Sequence, residues 1–426
     1  MRKLLLIFAM VLLSFNLTAQ TTYLHCGKLI DVEKSKVLTE MTIIVENDKI
    51  KAIEKGYSDV PAGAEAIDLK SKTVMPGLFD MHVHLESETS KDNYIKEFTL
   101  NEADIAFQST VYAKKTLMAG FTSVRDLGGS GVNNSLRDAI NKGFVEGPTI
   151  YSAGKSIATT GGHADPTNGY KDDLMGNPGP AEGVVNSPEE ARKAVRQRYK
   201  NGADVIKITA TGGVLSMAKN GQNPQFFEDE LKAIVETAND YGMLTAAHAH
   251  GDEGMQRAIR AGIKTIEHGT LMSEETMELM KEYDAYYVPT ITAGKSVAEL
   301  AEIEGYYPEV VVPKAKAIGP KIQDTFGKAY KKGVNIAFGT DAGVFKHGDN
   351  GKEFGYMVEA GMKPMESIIS ATVTPAKLLK VYDQYGSISE GKMADIIAVS
   401  DDPIENINTM ESVQFVMKKG QVYKNQ

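Results

Sequence analysis

Residues 78–84 read Leu78-Phe79-Asp80-Met81-His82-Val83-His84, a run in which apolar and polar side chains alternate after a Pro76-Gly77 break. Successive side chains of a β-strand point to opposite faces, so Phe79, Met81 and Val83 are expected on one face and Asp80, His82 and His84 on the other. Such a strand fits the wall of a parallel barrel, its apolar face on surrounding helices and its polar face turned inward. Two imidazoles at i and i+2 on an inner face form a metal-binding pattern, and Asp80, one step below, is a candidate to orient a ligand.

Outward from this strand, helix-like stretches end in a glycine that an apolar run follows at once. Gly120 precedes Phe121 to Val124, Gly202 precedes Val205 to Ile208, Gly242 precedes Met243 to Ala247, Gly262 precedes Ile263 to Ile266, and Gly333 precedes Val334 to Phe338. Glycine suits the residue after a helix because it takes the left-handed conformation without a Cβ clash. With Leu78 to His84, Thr149 to Ala153 and Tyr286 to Thr290, these runs make eight candidate strands with helices between them. That alternation predicts an α/β fold, a (β/α)8 TIM barrel over residues 76–385.

In such a barrel the C-terminal ends of the strands converge on one mouth. His82, His84, Lys207, His248, His268 and Asp341 all fall at or just past such ends. On the fourth strand Ile206 and Ile208 point outward and Val205, Lys207 and Thr209 inward. An ammonium buried there without a partner costs several kcal/mol, and the group loses its proton instead. A neutral amine adds carbon dioxide to give a carbamate, whose two oxygens can bridge two divalent ions; the alternative for Lys207 alone is a salt bridge to an inward carboxylate. Imidazole and carboxylate are ordinary ligands of zinc, the expected metal.

The chain ends have a different texture. Tyr23 to Leu69 alternates β-branched and polar residues, and Ala394 to Val399 and Val413 to Lys418 read as strands. Residues 21–75 and 386–426 are therefore expected to assemble a small β-sandwich. Residues 1–20, with Arg2 and Lys3 before the apolar run from Leu4 to Phe15, read as a secretory signal peptide. Export to the periplasm or medium follows, with no stable membrane insertion once the signal is removed. Cys26, the one cysteine, can form no internal disulfide. With 47 basic against 56 acidic residues, a net charge of -9 and no Lys/Arg cluster, nucleic acid is excluded as an expected partner.

Taken together, Pro76-Gly77-Leu78, Asp80-Met81-His82-Val83-His84, the Lys207 strand, the His248 and His268 strand ends, Gly339-Thr340-Asp341 and Gly391-Lys392-Met393-Ala394-Asp395 resemble the binuclear branch of the amidohydrolase superfamily over nearly the whole chain after residue 20. The likeness is to its imidazolonepropionase-like and prolidase-like members, which include Xaa-Pro dipeptidases. It implies that His82, His84 and Asp341 hold the more buried ion, that His248 and His268 hold the outer one, and that Lys207, as N6-carboxylysine, bridges both. Two divalent ions with a bridging hydroxide would polarise a carbonyl and supply hydroxide at neutral pH, with Asp341 shuttling the proton. Imidazolonepropionase itself lacks the strand lysine, so Lys207 argues against that activity.

His163, in Thr160-Gly161-Gly162-His163, His250 and Arg125 are candidates to bind the substrate. The expectation is a metal-dependent amide-bond hydrolase, a dipeptidase or carboxypeptidase-like enzyme acting on a small-molecule or dipeptide substrate, assembled as a monomer or homo-oligomer. A cyclic-amide or N-acyl amino acid hydrolase is the alternative within the class, and a non-catalytic metal-binding barrel the alternative outside it.

Overall fold

The computed structural model describes residues 20–426, so the expected signal segment lies, but for Gln20, outside the described residues. Both ends of the described chain enter one sheet. Its strands are β1 (Thr21–Asp31), β2 (Lys36–Glu46), β3 (Lys49–Lys55), β4 (Glu65–Pro76), β13 (Ile396–Val399), β14 (Val413–Lys418) and β15 (Gln421–Asn425), in the order β15-β14-β13-β4-β1-β2-β3. β4 joins the two halves because it pairs in parallel with β1 and antiparallel with β13. The β-rich ends are hydrogen-bonded to each other as a single seven-stranded sheet.

Leu24, Ile43, Leu69, Val74, Ile396 and Phe415 share one core with Cys26. On the opposite face Met75, Ile397, Val399 and Val416 belong to the larger core of the middle region. Strands covered on both faces have no polar side, which is why Ile396–Val399 is an unbroken apolar run. No described helix is long and apolar enough to cross a membrane.

The middle region carries eight short strands: β5 (Leu78–Val83), β6 (Phe121–Asp126), β7 (Thr149–Ser152), β8 (Val205–Thr209), β9 (Leu244–Ala249), β10 (Thr265–His268), β11 (Tyr286–Val288) and β12 (Asn335–Ile336). All neighbours pair in parallel, in a three-stranded sheet β5-β6-β7 and a five-stranded sheet β12-β11-β10-β9-β8. Backbone hydrogen bonds pass between the two sheets on both sides. Met81 N donates to Phe338 O at 2.9 Å and Asp341 N to His82 O at 2.7 Å; Asp204 N donates to Ser152 O at 2.7 Å and Ile157 N to Lys207 O at 2.8 Å. Gly120, Gly202, Gly242, Gly262 and Gly333 all have φ between 68° and 98°, the left-handed conformation expected where each helix gives way to a strand. Ile206 and Ile208 pack outward with helix residues such as Ala194 and Ile234, while Val205 joins Ala246 in a separate inner cluster.

Strict alternation fails in β5. Asp80 pairs with Val124 but Val83 with Asp126, so the strand takes three steps where its neighbour takes two. This β-bulge shifts the facing of side chains partway along the strand. Val83 packs in the main core, but Met81 contacts Val288 and Ala337 in a different cluster and Phe79 joins Ala376 and Tyr385 in a third. The expected single apolar face is therefore split. Asp80 is parted from the two histidines, and its buried carboxylate accepts from Thr340 N at 3.0 Å, Thr340 Oγ1 at 2.5 Å, Asn350 Nδ2 at 2.8 Å and His82 N at 3.1 Å.

Candidate metal centre and its cavity

The six expected ligands line one cavity. Lys207 Nζ lies 3.3 Å from His82 Nε2. Asp341 Oδ1 lies 3.5 Å from the same nitrogen and 3.3 Å from His84 Nε2. Ring centroids are 5.0 Å apart for His82 and His268 and 4.7 Å for His248 and His268. Ligand atoms of His82, His268 and Asp341 all fall within 4.8 Å of one another. These residues span the chain from β5 to the segment after β12, and parallel strands ending at a common level bring them together.

Each histidine is held by one ring nitrogen, leaving the other for the centre. His82 Nδ1 bonds Glu267 Oε2 at 3.0 Å, His84 Nδ1 bonds Gly128 O at 2.8 Å and His268 Nδ1 bonds Thr290 Oγ1 at 2.7 Å. His248 is anchored the other way round, through Nε2 to Gly212 O at 3.1 Å. Holding the second nitrogen in this way fixes the tautomer and ring plane of a metal-binding histidine. Burial pushes His82, His248 and His268 well below the ordinary histidine range, so they stand as neutral donors. Burial also brings Lys207 down to about 8, against the pull of Glu267 and Asp341. Burial opposes charge on Asp341 as well, but His82, His84 and Lys207 outweigh it and hold the carboxyl below its usual range.

This donor set fits divalent ions. The neutral rings of His82, His248 and His268 converge with His84, a carboxylate and an amine whose charged form burial disfavours, and Asp341 Oδ1 is buried without a hydrogen-bond partner. An orphaned buried carboxylate oxygen is costly unless something positive completes it. Three residues at the mouth are also strained: His268, Thr290 and Asp341 are non-glycine residues with φ of 70°, 53° and 61°. Strain of this kind persists only where surrounding contacts enforce it.

Of the substrate-binding candidates, His163 and His250 line the cavity and Arg125 does not. His163 packs against His248 with ring centroids 4.3 Å apart and planes tilted by 32°, and its Nδ1 is buried without a partner. Burial lowers His163 and His250 to about 3, so each offers a neutral ring. Arg125 is fully buried, donating to Met81 O at 2.7 Å, Thr265 Oγ1 at 3.0 Å and Glu267 Oε1 at 2.8 Å. All three of its nitrogens are engaged inside the fold, and it does not reach the cavity where a substrate would lie. Glu267, which sequence reasoning missed, is the hinge of that network. Its signal was available, an acidic residue in an apolar strand directly before His268.

The Thr211-Gly212-Gly213 turn also has a local purpose. Gly212 O holds His248, and a Cβ at Gly213 would sit 2.2 Å from the His163 ring. Lys314, buried, clamps this loop by donating to Gly213 O, Ser216 O and Ala218 O at 3.1, 2.6 and 2.7 Å. The cavity, about 190 Å³, is apolar away from the ligands, where Val214, Val297, Ile318, Ile322 and Val344 line it.

The sequence profile of the amidohydrolase family matches residues 73–423. Ochratoxinase of Aspergillus niger is 33% identical over 95% of this chain and 87% of its own. Among solved structures, a Xaa-Pro dipeptidase with methionine bound in its active site superposes with a TM-score of 0.93 at 54% identity, covering 95% of this chain and 100% of that one. A prolidase complexed with N-methylphosphonate-L-proline superposes at 0.86 with 32% identity, over 96% and 100% of the two chains.

Proposed function

Given that this chain belongs to the amidohydrolase family and is a hydrolase acting on carbon–nitrogen bonds, we propose that it is a binuclear dipeptidase or carboxypeptidase-like enzyme that releases a C-terminal residue, with Xaa-Pro and related dipeptides as substrates. The observation that carries this is the position of Lys207 Nζ, 3.3 Å from His82 Nε2 in a buried cluster that also holds Asp341. His82, His84 and Asp341 would hold one ion, His248 and His268 the other, and Lys207, as its carbamate, both. Zinc ions held there would polarise the scissile carbonyl and lower the pKa of water toward about 7.

The chain's own groups do the rest. Asp341 accepts a proton from the attacking water and passes it to the leaving amine. His163 and His250, being neutral, bind the terminal carboxylate by donating N–H hydrogen bonds, not by charge. The apolar wall of Val214, Val297, Ile318 and Ile322 takes an uncharged side chain and keeps water from it. The likeness in sequence and structure to a Xaa-Pro dipeptidase and a prolidase supports this substrate class.

On the same reading the eight strands act as a closed (β/α)8 barrel, which the hydrogen bonds between the two parallel sheets support. The end sheet wraps its own core as a sandwich domain of residues 21–75 and 386–426. Residues 1–20 direct export; a protein that stays in the pellet after an alkaline carbonate wash would contradict this. The function is tested by screening the zinc-loaded protein against free dipeptides, their C-terminal amides and N-acyl amino acids. Turnover of free dipeptides with loss on amidation is expected. Turnover of N-acyl amino acids alone would move the substrate class, and a fully metallated protein inert to all three sets would refute the reading.

A further inference from the structure

Thr290 is the N-cap of the helix Ile291–Leu300, yet its side chain makes no capping hydrogen bond. Ser187 and Ser273 do cap their own helices, accepting from Glu190 N and Thr276 N. Thr290 is held in the left-handed conformation, with its Oγ1 committed to His268 Nδ1 at 2.7 Å. The first amides of this buried helix end still need an acceptor, because an unpaired buried N–H costs about 1–3 kcal/mol. Glu353, fully buried on the helix Lys352–Glu359, provides it from 61 residues away. Its carboxylate accepts from Ile291 N at 2.8 Å, Thr292 N at 2.7 Å and Thr292 Oγ1 at 2.6 Å. Burial raises the Glu353 carboxyl to about 8, and the hydrogen bonds from Thr292 and Ile291, with the positive end of the helix dipole, oppose that rise by favouring its charged form.

We propose that Glu353 is a positioning residue for the metal centre: by capping this helix in place of Thr290, it leaves the Thr290 hydroxyl free to fix the tautomer and orientation of His268. Without Glu353 the open helix end would draw on the acceptor that an N-cap residue ordinarily supplies, here the Thr290 hydroxyl. A hydroxyl turned toward those amides leaves His268 Nδ1, and the ring then loses the restraint that presents Nε2 to the ion it shares with His248. Tyr287, whose hydroxyl donates to His268 O at 2.8 Å, holds the backbone of His268 but not its ring. The inference rests on the metal-binding part of the proposed function and is independent of the substrate.

The test is a zinc titration of metal-free protein, full chain, for wild type, Glu353→Gln, Thr290→Val and the double variant, with nitrogen NMR of the histidine rings reporting the His268 tautomer. Glu353→Gln and Thr290→Val are each expected to weaken the second zinc about 10-fold or more, as loss of an outer partner of a ligand typically does. Both should alter the His268 signal, and the double variant should bind no more weakly than Thr290→Val. Unchanged zinc affinity and tautomer in Glu353→Gln, or two losses that multiply in the double variant, would overturn the proposal and leave Glu353 a structural clamp. Should Glu353→Gln not fold, Glu353→Asp, too short to reach both amides, is read by the same criteria. Wild-type protein that takes up no zinc would refute the metal site itself, a different outcome.

Discussion

Replacing Glu267 with glutamine separates what the buried network does for stability from what it does for the centre. Glu267 and Arg125 are both fully buried and 2.8 Å apart, and Glu267 also accepts from Thr265 Oγ1 at 2.5 Å. Glutamine keeps the shape but removes the charge, leaving the Arg125 guanidinium with no counter-ion. Breaking a buried pair in this way costs about 3–5 kcal/mol. The amide faces a second conflict. If its oxygen stays on Arg125, its NH2 meets His82 Nδ1, which must then accept, and the ring proton moves to Nε2, the nitrogen that faces Lys207 and Asp341. A protonated Nε2 cannot ligate, so zinc affinity should fall about 10- to 100-fold, or roughly 1.4–2.8 kcal/mol. Urea unfolding of the metal-free protein measures the first effect, and zinc titration against a competing chelator the second. The double variant Arg125→Met, Glu267→Leu removes both charges and should recover most of the stability but none of the zinc affinity. Glu267→Gln that unfolds and binds zinc as wild type does would refute the reasoning.

Other consequences are equally direct. Lys207→Ala should hold fewer than the two zinc equivalents expected of wild type, and metal-free wild type should reload poorly in carbon-dioxide-free buffer until bicarbonate is added; full loading without it would count against a carbamate. Lys418 is buried with Nζ on Gly147 O at 2.7 Å, and burial lowers it to about 8. Its folded pKa is depressed, so the unfolded chain holds the extra proton between pH about 8 and the ordinary lysine value, and stability should rise with pH across that window by on the order of 3 kcal/mol. Urea midpoints at pH 8 and pH 10 should show that rise in wild type and a smaller one in Lys418→Met; equal slopes would clear Lys418 of the effect. Lys314→Met, which frees the loop carrying Val214 and Leu215, should raise KM several-fold with little change in kcat, measured on the best dipeptide substrate; a kcat loss with unchanged KM would show that the loop serves the chemistry and not the pocket.

How much of this was legible beforehand depends on the range of the interactions. The ligand set could be read because it is local twice over: period-two alternation places Lys207 and His248 on the face opposite Ile206, Ile208 and Ala247, and each glycine-marked helix end announces the next parallel strand. Once strands are parallel, their C-terminal ends lie together whatever the loops do, so His82 and Asp341 meet without any knowledge of the packing between them.

Where alternation broke, the reading broke with it. The bulge between Asp80 and Val83 is set by pairing with β6 and leaves no trace in composition, so Asp80 was placed on the wrong side of its strand. Arg125 looked like a substrate ligand because a strand end is all that sequence shows. Its true partner is 142 residues away.

What the sequence by itself determined, then, is the order of the elements, the residues each presents at its end and the chemistry those residues can perform, since all three follow from short-range periodicity and side-chain type. Only the tertiary structure decided which nitrogen of each imidazole faces the centre, which buried carboxylate holds it there, and that the hydroxyl of Thr290 serves His268 while Glu353 caps the helix. Those choices are made by contacts between groups far apart in the chain, each competing for a limited number of donors in a space without water, and only the folded arrangement shows which pairing wins.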